Sequence, residues 1–400
     1  MKTYIRSKQL IVDPALPPIQ QGIVGFENNK IIDVGSASTI AIPPGSQVID
    51  CSEETVMPGL IDTHGHIVTN SKYRMTLKEQ QSLDVATAAL RGSMNLRSDL
   101  AAGVTSLRAL GDFGDLELKF REAIEREEIP GPRLVISIRA LRPSHGTAFF
   151  MAAAADGVDE IRKCIRENFS MGADVVKIFV TNVSNGQTAE DYRRGDLTQV
   201  PAYSREELFA AIGQAHDLGM RVAGHAIGGP AMRWAMEAGI DSVEHANMLE
   251  EQDIEYFVKY GTYLSDPNLR LFFDEEVGFP SRDNYQLDWW REKVAVARKM
   301  TEEYIPKVMQ AGTKVCLAVD SGHGHLWREV KYLAQLGASN TEALKAVTTN
   351  SAELLGMQDS IGTLEKGKLA DIISVHGDPL QDVTALKDVH LVIKDGKRFA

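Results

Sequence analysis

The stretch Met57-Pro58-Gly59-Leu60-Ile61-Asp62-Thr63-His64-Gly65-His66 carries the feature that decides the fold. The Pro-Gly pair predicts a turn, and the apolar Leu60 and Ile61 after it predict the start of a buried strand. Side chains two residues apart in a strand point to the same face, so His64 and His66 present two imidazoles that can chelate one metal ion. The alternative interpretation is a pair of histidines in a surface turn.

Four later stretches follow a similar pattern, each combining a short apolar segment with a polar residue of metal-site chemistry. They are residues 173–180, 221–225, 241–245 and 313–320, which contain Lys177, His225, His245 and Asp320, respectively. Helical patterns separate most of these segments, and a long alternation of strands and helices predicts a parallel (β/α)8 TIM barrel. Catalytic residues of such barrels lie at the C-terminal ends of the strands, where the pattern also places these polar residues.

The two ends of the chain have the character of short β-strands, whereas the middle alternates between strands and helices. In the N-terminal part, two apolar runs flank a turn at residues 27–30, which predicts a hairpin. Chain termini often lie close together, which permits one domain to be built from both ends. We therefore predict a small composite β-sandwich domain from residues 1–56 and 357–400, with the barrel, residues 57–356, inserted between them.

Composition and charge restrict the class of partner. Apolar residues make up 44% of the chain, charged residues 24%, and the net charge is −12. This balance is ordinary for a globular protein, and the absence of a basic field argues against nucleic acid. No run of about 18 apolar residues predicts a membrane span, and residues 1–8 lack the apolar core of a signal peptide. With three widely spaced cysteines, we expect a cytoplasmic protein that acts on a small-molecule substrate.

The crossover at residues 266–311 is long for a barrel of this kind. Residues 289–310 predict a helix, and the preceding loop contains Phe272, Phe273 and Phe279. One interpretation of the 266–290 segment is a lid or a contact in a homo-oligomer. The other, which we favour, is packing of its aromatic side chains on the barrel wall.

The residue types of the candidate site favour a borderline divalent ion such as Zn2+, because imidazole and carboxylate are its ordinary ligands. Lys177 is the exception, since an ammonium group has no lone pair for a metal. It would bridge two cations only after reaction with CO2, which converts the amine into an anionic carbamate. The alternative is a salt-bridged lysine at the end of a strand.

The ordered set of candidate ligands resembles that of the amidohydrolase superfamily, in its binuclear form with a carboxylated lysine. The similarity extends over nearly the whole chain and is greatest to the imidazolonepropionase-related branch, which includes Xaa-Pro dipeptidases and arginine carboxypeptidases. The stretches that carry it are residues 57–66, Ser242-Val243-Glu244-His245, Val319-Asp320-Ser321-Gly322 and residues 361–371.

This resemblance implies two divalent metal ions, expected to be Zn2+, bridged by a CO2-derived carbamate on Lys177. It assigns three ligands to the more buried ion, namely His64, His66 and Asp320. It assigns two further ligands to the other ion, namely His225 and His245. A hydroxide between the ions would attack the substrate carbonyl, and Asp320 would take its proton and deliver it to the leaving amine.

Residues in three loops are candidates for contact with the substrate. His145 follows the third barrel strand, where relatives carry a histidine that donates to the substrate carbonyl; the alternative is a loop histidine in solvent. Tyr192, Arg193 and Arg194 follow the fourth strand and are candidates for holding a substrate carboxylate, unless they belong to a solvated charged loop. His323, beyond the eighth strand, is expected in a loop near the substrate.

The leading functional hypothesis is metal-dependent hydrolysis of an amide bond in a dipeptide or an N-acyl amino acid. A second hypothesis is hydrolysis of a cyclic amide, a lactone, or a xenobiotic amide or carbamate, because the same machinery serves these reactions. A deaminase is disfavoured, since those relatives usually lack the lysine at the position of Lys177. A catalytically silent barrel scaffold is the non-enzyme alternative, and it is disfavoured because every ligand position is filled.

Overall fold

A computed structural model describes residues 2–69, 83–148, 151–181, 199–279 and 288–399 of the chain. Strands near both chain ends form one mixed sheet, whereas the strands between them form parallel sheets. Among the described residues, no helix combines the length and the apolar character needed to span a bilayer.

Both short and long strands occur along the described part of the chain. They are β1 (Lys2–Leu10), β2 (Ile19–Gln20), β3 (Gly22–Glu27), β4 (Lys30–Ser36), β5 (Gln47–Pro58), β6 (Leu60–Gly65), β7 (Val104–Ala109), β8 (Arg133–Ile136), β9 (Ala140–Arg142), β10 (Ala152–Ala154), β11 (Val175–Phe179), β12 (Arg221–Gly228), β13 (Ser242–Met248), β14 (Tyr263–Ser265), β15 (Val315–Cys316), β16 (Ile372–Val375), β17 (Val389–Lys394) and β18 (Lys397–Arg398).

The described α-helices lie mainly between the barrel strands. They are α1 (Val85–Ala101), α2 (Leu116–Glu125), α3 (Gly157–Ser170), α4 (Arg205–Asp217), α5 (Pro230–Glu237), α6 (Glu251–Tyr260), α7 (Leu269–Phe273), α8 (Asp288–Gln310), α9 (Leu326–Gln335), α10 (Asn340–Lys345) and α11 (Thr349–Leu354).

Parallel strands form the wall of a (β/α)8 barrel, as the sequence predicted. Strands β6, β7 and β8 form one ladder, and β9, β11, β12, β13, β14 and β15 form the other. Backbone hydrogen bonds connect the two ladders. At one junction Asp174 N donates to Ile136 O (2.8 Å), and at the other Asp320 N donates to His64 O (2.9 Å). The second junction sets Asp320 directly beside the end of β6.

Helix α4 shows how local sequence positions the helices around the barrel. Glu207 N donates to the Ser204 hydroxyl, and the Glu207 carboxylate accepts from Ser204 N, which forms the predicted capping box. Its buried residues recur with helical spacing, so that one face packs on the barrel wall; they are Leu208, Ala211, Ile212 and Ala215. The helix ends before Gly219, whose φ of 75° favours glycine.

The composite sheet joins the two ends of the chain, and its order is β18-β17-β16-β5-β1-β3-β4 with β2 beside β1. Strand β5 pairs in parallel with β1 and antiparallel with β16. The start of β4 also approaches the segment before β16, where Ile31 N donates to Lys368 O (2.9 Å). The strands thereby enclose a small apolar core of their own, which includes Ile5, Val24, Ile372 and Ile393.

Strand β5 also delivers the chain into the barrel. It extends to Pro58, two residues beyond the predicted domain boundary at residue 56, and β6 begins after the single residue Gly59. A Cβ atom at residue 59 would lie 2.2 Å from Thr105 Oγ1, so the close approach of β6 and β7 here requires glycine. The division into residues 1–56 with 357–400 and residues 57–356 stays a prediction.

Two described helices, α6 and α7, were not predicted from the sequence. Helix α6 does carry local signals that the sequence analysis did not use, since the Asp253 carboxylate accepts from Glu250 N (2.7 Å) at its start and Gly261 follows its end with a left-handed φ of 66°. Helix α7 has five residues and is too short to show a period. The predicted strand 313–320 is also shorter in the structure, where β15 spans Val315–Cys316 and Asp320, with a left-handed φ of 56°, lies outside strand geometry.

The described part of the 266–290 segment packs against the body of the protein. Phe272 is buried in a cluster with Met248, Val294 and Ala297, and its ring contacts Phe279 edge to face at 5.3 Å. These contacts support the packing interpretation that the sequence favoured. A lid or an oligomer contact is not needed to explain these aromatic residues.

The composite core generates a prediction about stability. Ile372→Ala removes a fully buried side chain between β5 and β17, so we expect a loss of roughly 2–5 kcal/mol in the free energy of unfolding. Urea unfolding followed by circular dichroism measures this loss. Val48→Ala in the same sheet is the control, because Val48 is 43% exposed. Equal effects of the two substitutions would contradict a separate packed core in this sheet.

Candidate metal centre

The six predicted ligand positions converge at the C-terminal end of the barrel. His64 lies at the end of β6, Lys177 in β11, His225 in β12 and His245 in β13, while His66 and Asp320 follow β6 and β15. Four imidazole rings form a continuous group. The ring centroid of His64 lies 5.1 Å from that of His66 and 5.0 Å from that of His245. The ring centroids of His225 and His245 are 4.7 Å apart.

The His-X-His pair faces Asp320 in a compact set of donor atoms. His64 Nε2 and His66 Nε2 are 3.3 Å apart, and His66 Nε2 lies 3.7 Å from Asp320 Oδ1. Donor atoms of these three residues all lie within 4.8 Å of one another. Two imidazoles and one carboxylate suit a divalent transition metal, so this set fits one ion.

Hydrogen bonds at the rear of the first two imidazoles leave the Nε2 atoms free to bind a metal. His66 Nδ1 donates to the carbonyl of Gly111 (2.7 Å). His64 Nδ1 faces two carboxylates, Glu244 Oε2 and Asp266 Oδ2, each at 3.1 Å. Such partners fix the tautomer and the orientation of a ligating histidine. Burial also lowers the pKa of His66 to about 4, which keeps its imidazole neutral.

A buried arginine holds the Glu244 carboxylate in place. Arg108 donates to Glu244 Oε1 (2.7 Å) and to the carbonyl of Thr63 (2.5 Å) from the end of β7. Burial by itself would raise the pKa of Glu244, yet Arg108 and His64 hold it well below its ordinary value. Glu244 is therefore an ionised acceptor that orients His64.

Asp266 is a residue of the site that the sequence analysis missed. Its Oδ2 lies 3.1 Å from His64 Nδ1 and 3.3 Å from His245 Nδ1, so one carboxylate faces two imidazoles. It directly follows β14, at the same edge of the barrel as the predicted ligands. Its position directly after a barrel strand is the sequence feature that could have identified Asp266 as a residue of the site.

Lys177 lies inside the group of imidazoles. Its Nζ is 3.3 Å from His64 Nε2, and the residue is 1% exposed. Burial lowers the pKa of Lys177 to about 8. A fraction of its amine is therefore neutral near pH 7, and only a neutral amine has the lone pair that reacts with CO2.

His225 and His245 form the second pair of imidazoles. The His225 ring packs between Phe179, at 4.9 Å between centroids, and His245, at 4.7 Å. Burial, followed by the nearby imidazoles, lowers the pKa of His225 well below its ordinary value. Its neutral imidazole suits a metal ligand.

Several residues of the site adopt a left-handed backbone that is unfavourable outside glycine. The φ angles are 76° for His245, 46° for Asp266 and 56° for Asp320. Such conformations cost of the order of 1–3 kcal/mol each and persist where the surrounding structure enforces them. For Asp320 the constraint is a pair of bonds to β6, in which Asp320 N donates to His64 O and His66 N donates to Asp320 O, both at 2.9 Å.

His323, a predicted substrate contact, is buried beside the segment that follows His66. Its side chain is fully buried, with Nδ1 2.7 Å from Asp99 Oδ2 and Nε2 3.0 Å from the carbonyl of Thr69. Burial lowers the pKa of His323, but Asp99, the carbonyl of His66 and Asp62 together raise it to about 9. Both ring nitrogens have partners within the protein, which hold the chain after His66 in place. Its role near the substrate stays a prediction.

The other predicted substrate contacts are not brought into the described cluster. His145 is exposed, in the turn after β9. Its role as a donor to the substrate stays a prediction. Tyr192, Arg193 and Arg194 lie outside the described residues.

Comparisons with known proteins agree with this architecture. A family model described as the amidohydrolase family matches residues 55–399. The ochratoxinase of Aspergillus niger is 26% identical over 376 residues, which cover 86% of this chain and 75% of that protein. The imidazolonepropionase of Fusobacterium nucleatum subsp. nucleatum is 26% identical over 388 residues, which cover 88% of this chain and 84% of that protein.

The fold also matches solved structures over its full length. A crystal structure of a Xaa-Pro dipeptidase with bound methionine in the active site superimposes with a TM-score of 0.87, at 26% identity and with 100% of both chains covered. The family match, these relatives and the chemistry of the site indicate a hydrolase acting on carbon–nitrogen bonds. The chain belongs to the amidohydrolase family.

Proposed function

We propose that the protein is a binuclear metal-dependent amidohydrolase that cleaves the amide bond of a dipeptide or an N-acyl amino acid. The observation that carries this proposal is the convergence of four imidazoles, Lys177 and Asp320 at one end of the barrel, with the rear nitrogens of His64 and His66 held by acceptors. A histidine that only stabilised the core would not require this common orientation of ring nitrogens.

Two ions would be held by the predicted ligands. His64, His66 and Asp320 would hold one ion, whereas His225 and His245 would hold the other. Two divalent ions, for which Zn2+ suits the donor set, would lower the pKa of a water molecule and polarise the scissile carbonyl.

Lys177 would bridge the two ions as a carbamate. Its neutral amine would form an N–C bond to CO2 and lose a proton, which yields a carbamate whose two oxygens share one negative charge. The buried position beside His64 supports this role, because burial favours the neutral amine.

Asp320 is proposed as the general base and then the general acid. Its side chain is 26% exposed, so it faces the space open to substrate while it remains 3.7 Å from His66 Nε2. Burial raises the pKa of Asp320, but the nearby histidines, above all His66 and His64, hold it below its ordinary value, so the carboxylate is ionised, which is the state that a general base requires. It would take a proton from the attacking water and deliver it to the leaving amine. His145 is proposed as a donor to the substrate carbonyl.

A second candidate function is hydrolysis of a xenobiotic or cyclic amide. The relative named ochratoxinase favours it, just as the solved Xaa-Pro dipeptidase favours a dipeptide. Both reactions would use the same centre, and the loops that follow the strands would select between them. Turnover of parallel panels of dipeptides, N-acyl amino acids and xenobiotic amides distinguishes the two.

Lys177→Ala tests the bridge between the ions. We expect wild-type protein to contain two metal ions per chain, and the variant to lose metal and at least roughly 100-fold in kcat/KM, since both ions share this ligand. Elemental analysis and turnover of the substrate panels measure the two effects. Lys119→Ala is the control, because the Lys119 side chain is 63% exposed. Unchanged metal content and turnover in Lys177→Ala would refute the carbamate bridge.

Asp320→Asn tests the proton transfer. The amide can still contact an ion but cannot accept a proton, so kcat should fall by roughly 10²–10⁴-fold. Turnover is measured at saturating metal, and metal content is measured on the same sample. Asp359→Asn provides an exposed control. If Asp320→Asn kept its metal and full turnover, another residue would have to be the base.

Glu244→Gln tests how His64 is oriented. The substitution preserves the shape of the side chain but removes the charge opposite His64 and Arg108, and we expect metal affinity to fall by roughly 10–100-fold. Competition with a chelator measures the affinity. Glu329→Gln is the matched control, because Glu329 is fully buried beside Arg270. Equal losses in the two variants would indicate a general effect of substituting a buried carboxylate.

A further inference from the structure

A second group of potential metal ligands lies in the composite sheet. It consists of Glu54 in β5, His376 directly after β16 and His390 in β17. Donor atoms of the three residues all lie within 4.8 Å of one another. His390 Nδ1 is 2.5 Å from Glu54 Oε1, and the rings of His376 and His390 stack with centroids 5.4 Å apart. None of these residues belongs to the barrel centre.

Three neighbouring strands hold the group in position. The strands are adjacent in the order β17-β16-β5, and Val375 pairs with both Thr55 and Val389. The backbone of His376 is fixed in addition, because its N–H donates to Asp388 O (3.1 Å). Donors on paired strands are held more rigidly than donors on loops, which favours ion binding without rearrangement.

The Glu54 carboxylate is oriented as it would be in a metal site. The residue is 5% exposed, and its Oε2 accepts a hydrogen bond from the Ser374 hydroxyl. The other oxygen, Oε1, faces His390. Hydrogen bonds of this kind to the second oxygen of a carboxylate orient metal ligands. The His390 side chain is 50% exposed and His376 is also exposed, so an ion can enter from solvent.

We propose that Glu54, His376 and His390 bind one borderline divalent transition-metal ion, such as Zn2+, at a site separate from the barrel centre. Two imidazoles and one carboxylate are an ordinary set of zinc ligands, and water would complete the tetrahedron. The imidazoles select against Mg2+ and Ca2+, which prefer oxygen ligands. This inference does not depend on the proposed reaction.

The ion would join the two ends of the chain. Glu54 belongs to the N-terminal part of the composite sheet, whereas His376 and His390 belong to its C-terminal strands. An unfolded chain does not hold these three donors together, so binding would stabilise the folded sheet.

Zinc titration of the metal-loaded enzyme tests the site. Protein with a filled barrel centre is passed through a desalting column and then titrated with Zn2+. Calorimetry measures the binding, and elemental analysis counts the ions bound per chain. We expect the wild type to bind one further Zn2+ per chain, and His376→Ala and His390→Ala to lose that ion without a change in turnover. Mg2+ should give no such binding.

Two further variants make the test specific. His216→Ala is the matched control, because exposed His216 lies 3.0 Å from Asp241 but belongs to no three-donor group among the described residues. It should retain the additional ion. Ser374→Ala should bind it roughly 10–100-fold more weakly, since Glu54 loses its orienting partner. Absence of additional zinc in the wild type, or its persistence in both histidine variants, would overturn the proposal and leave a simple Glu–His ion pair.

Discussion

The contact between His64 Nδ1 and the carboxylates of Glu244 and Asp266 is the constraint on which the rest of the site depends. Both oxygens lie 3.1 Å from this nitrogen, so the opposite nitrogen must point toward His66 and Lys177. A carboxylate without water is costly unless it is paired, and Arg108 supplies that pair for Glu244. Residues from β6, β7, β13 and the end of β14 are thus joined behind one candidate ligand.

The composite sheet places the first of these strands. Strand β5 lies inside the composite sheet, between β16 and β1, and continues into β6 through Gly59. The position of β5 therefore fixes where His64 and His66 enter the barrel. Arg133 at the start of β8 forms ion pairs with Asp371 and Asp395, which ties a second barrel strand to the same sheet. The sheet therefore acts as a support for the barrel as well as a separate core.

Features that depend on neighbours in sequence could be predicted well. The side-by-side arrangement of His64 and His66 and the capping box at Ser204 follow from local geometry. The turn predicted at Pro58-Gly59 was wrong, because β5 continues to Pro58 and β6 begins at Leu60. Helix α6 was missed although Asp253 at its start and Gly261 after its end are local signals of a helix. The buried position of His323 could not be predicted, since it depends on Asp99, 224 residues away.

The sequence by itself determined the alternation of strands and helices and the residue types at the ends of the strands, because both follow from local periodicity. It thereby determined the barrel and the family resemblance. Only the tertiary structure decided that Asp266 serves both His64 and His245, and that Glu54 meets His390 across the composite sheet. Such contacts arise between residues far apart in the chain, when strand pairing brings them together, and no local pattern encodes the distance between them.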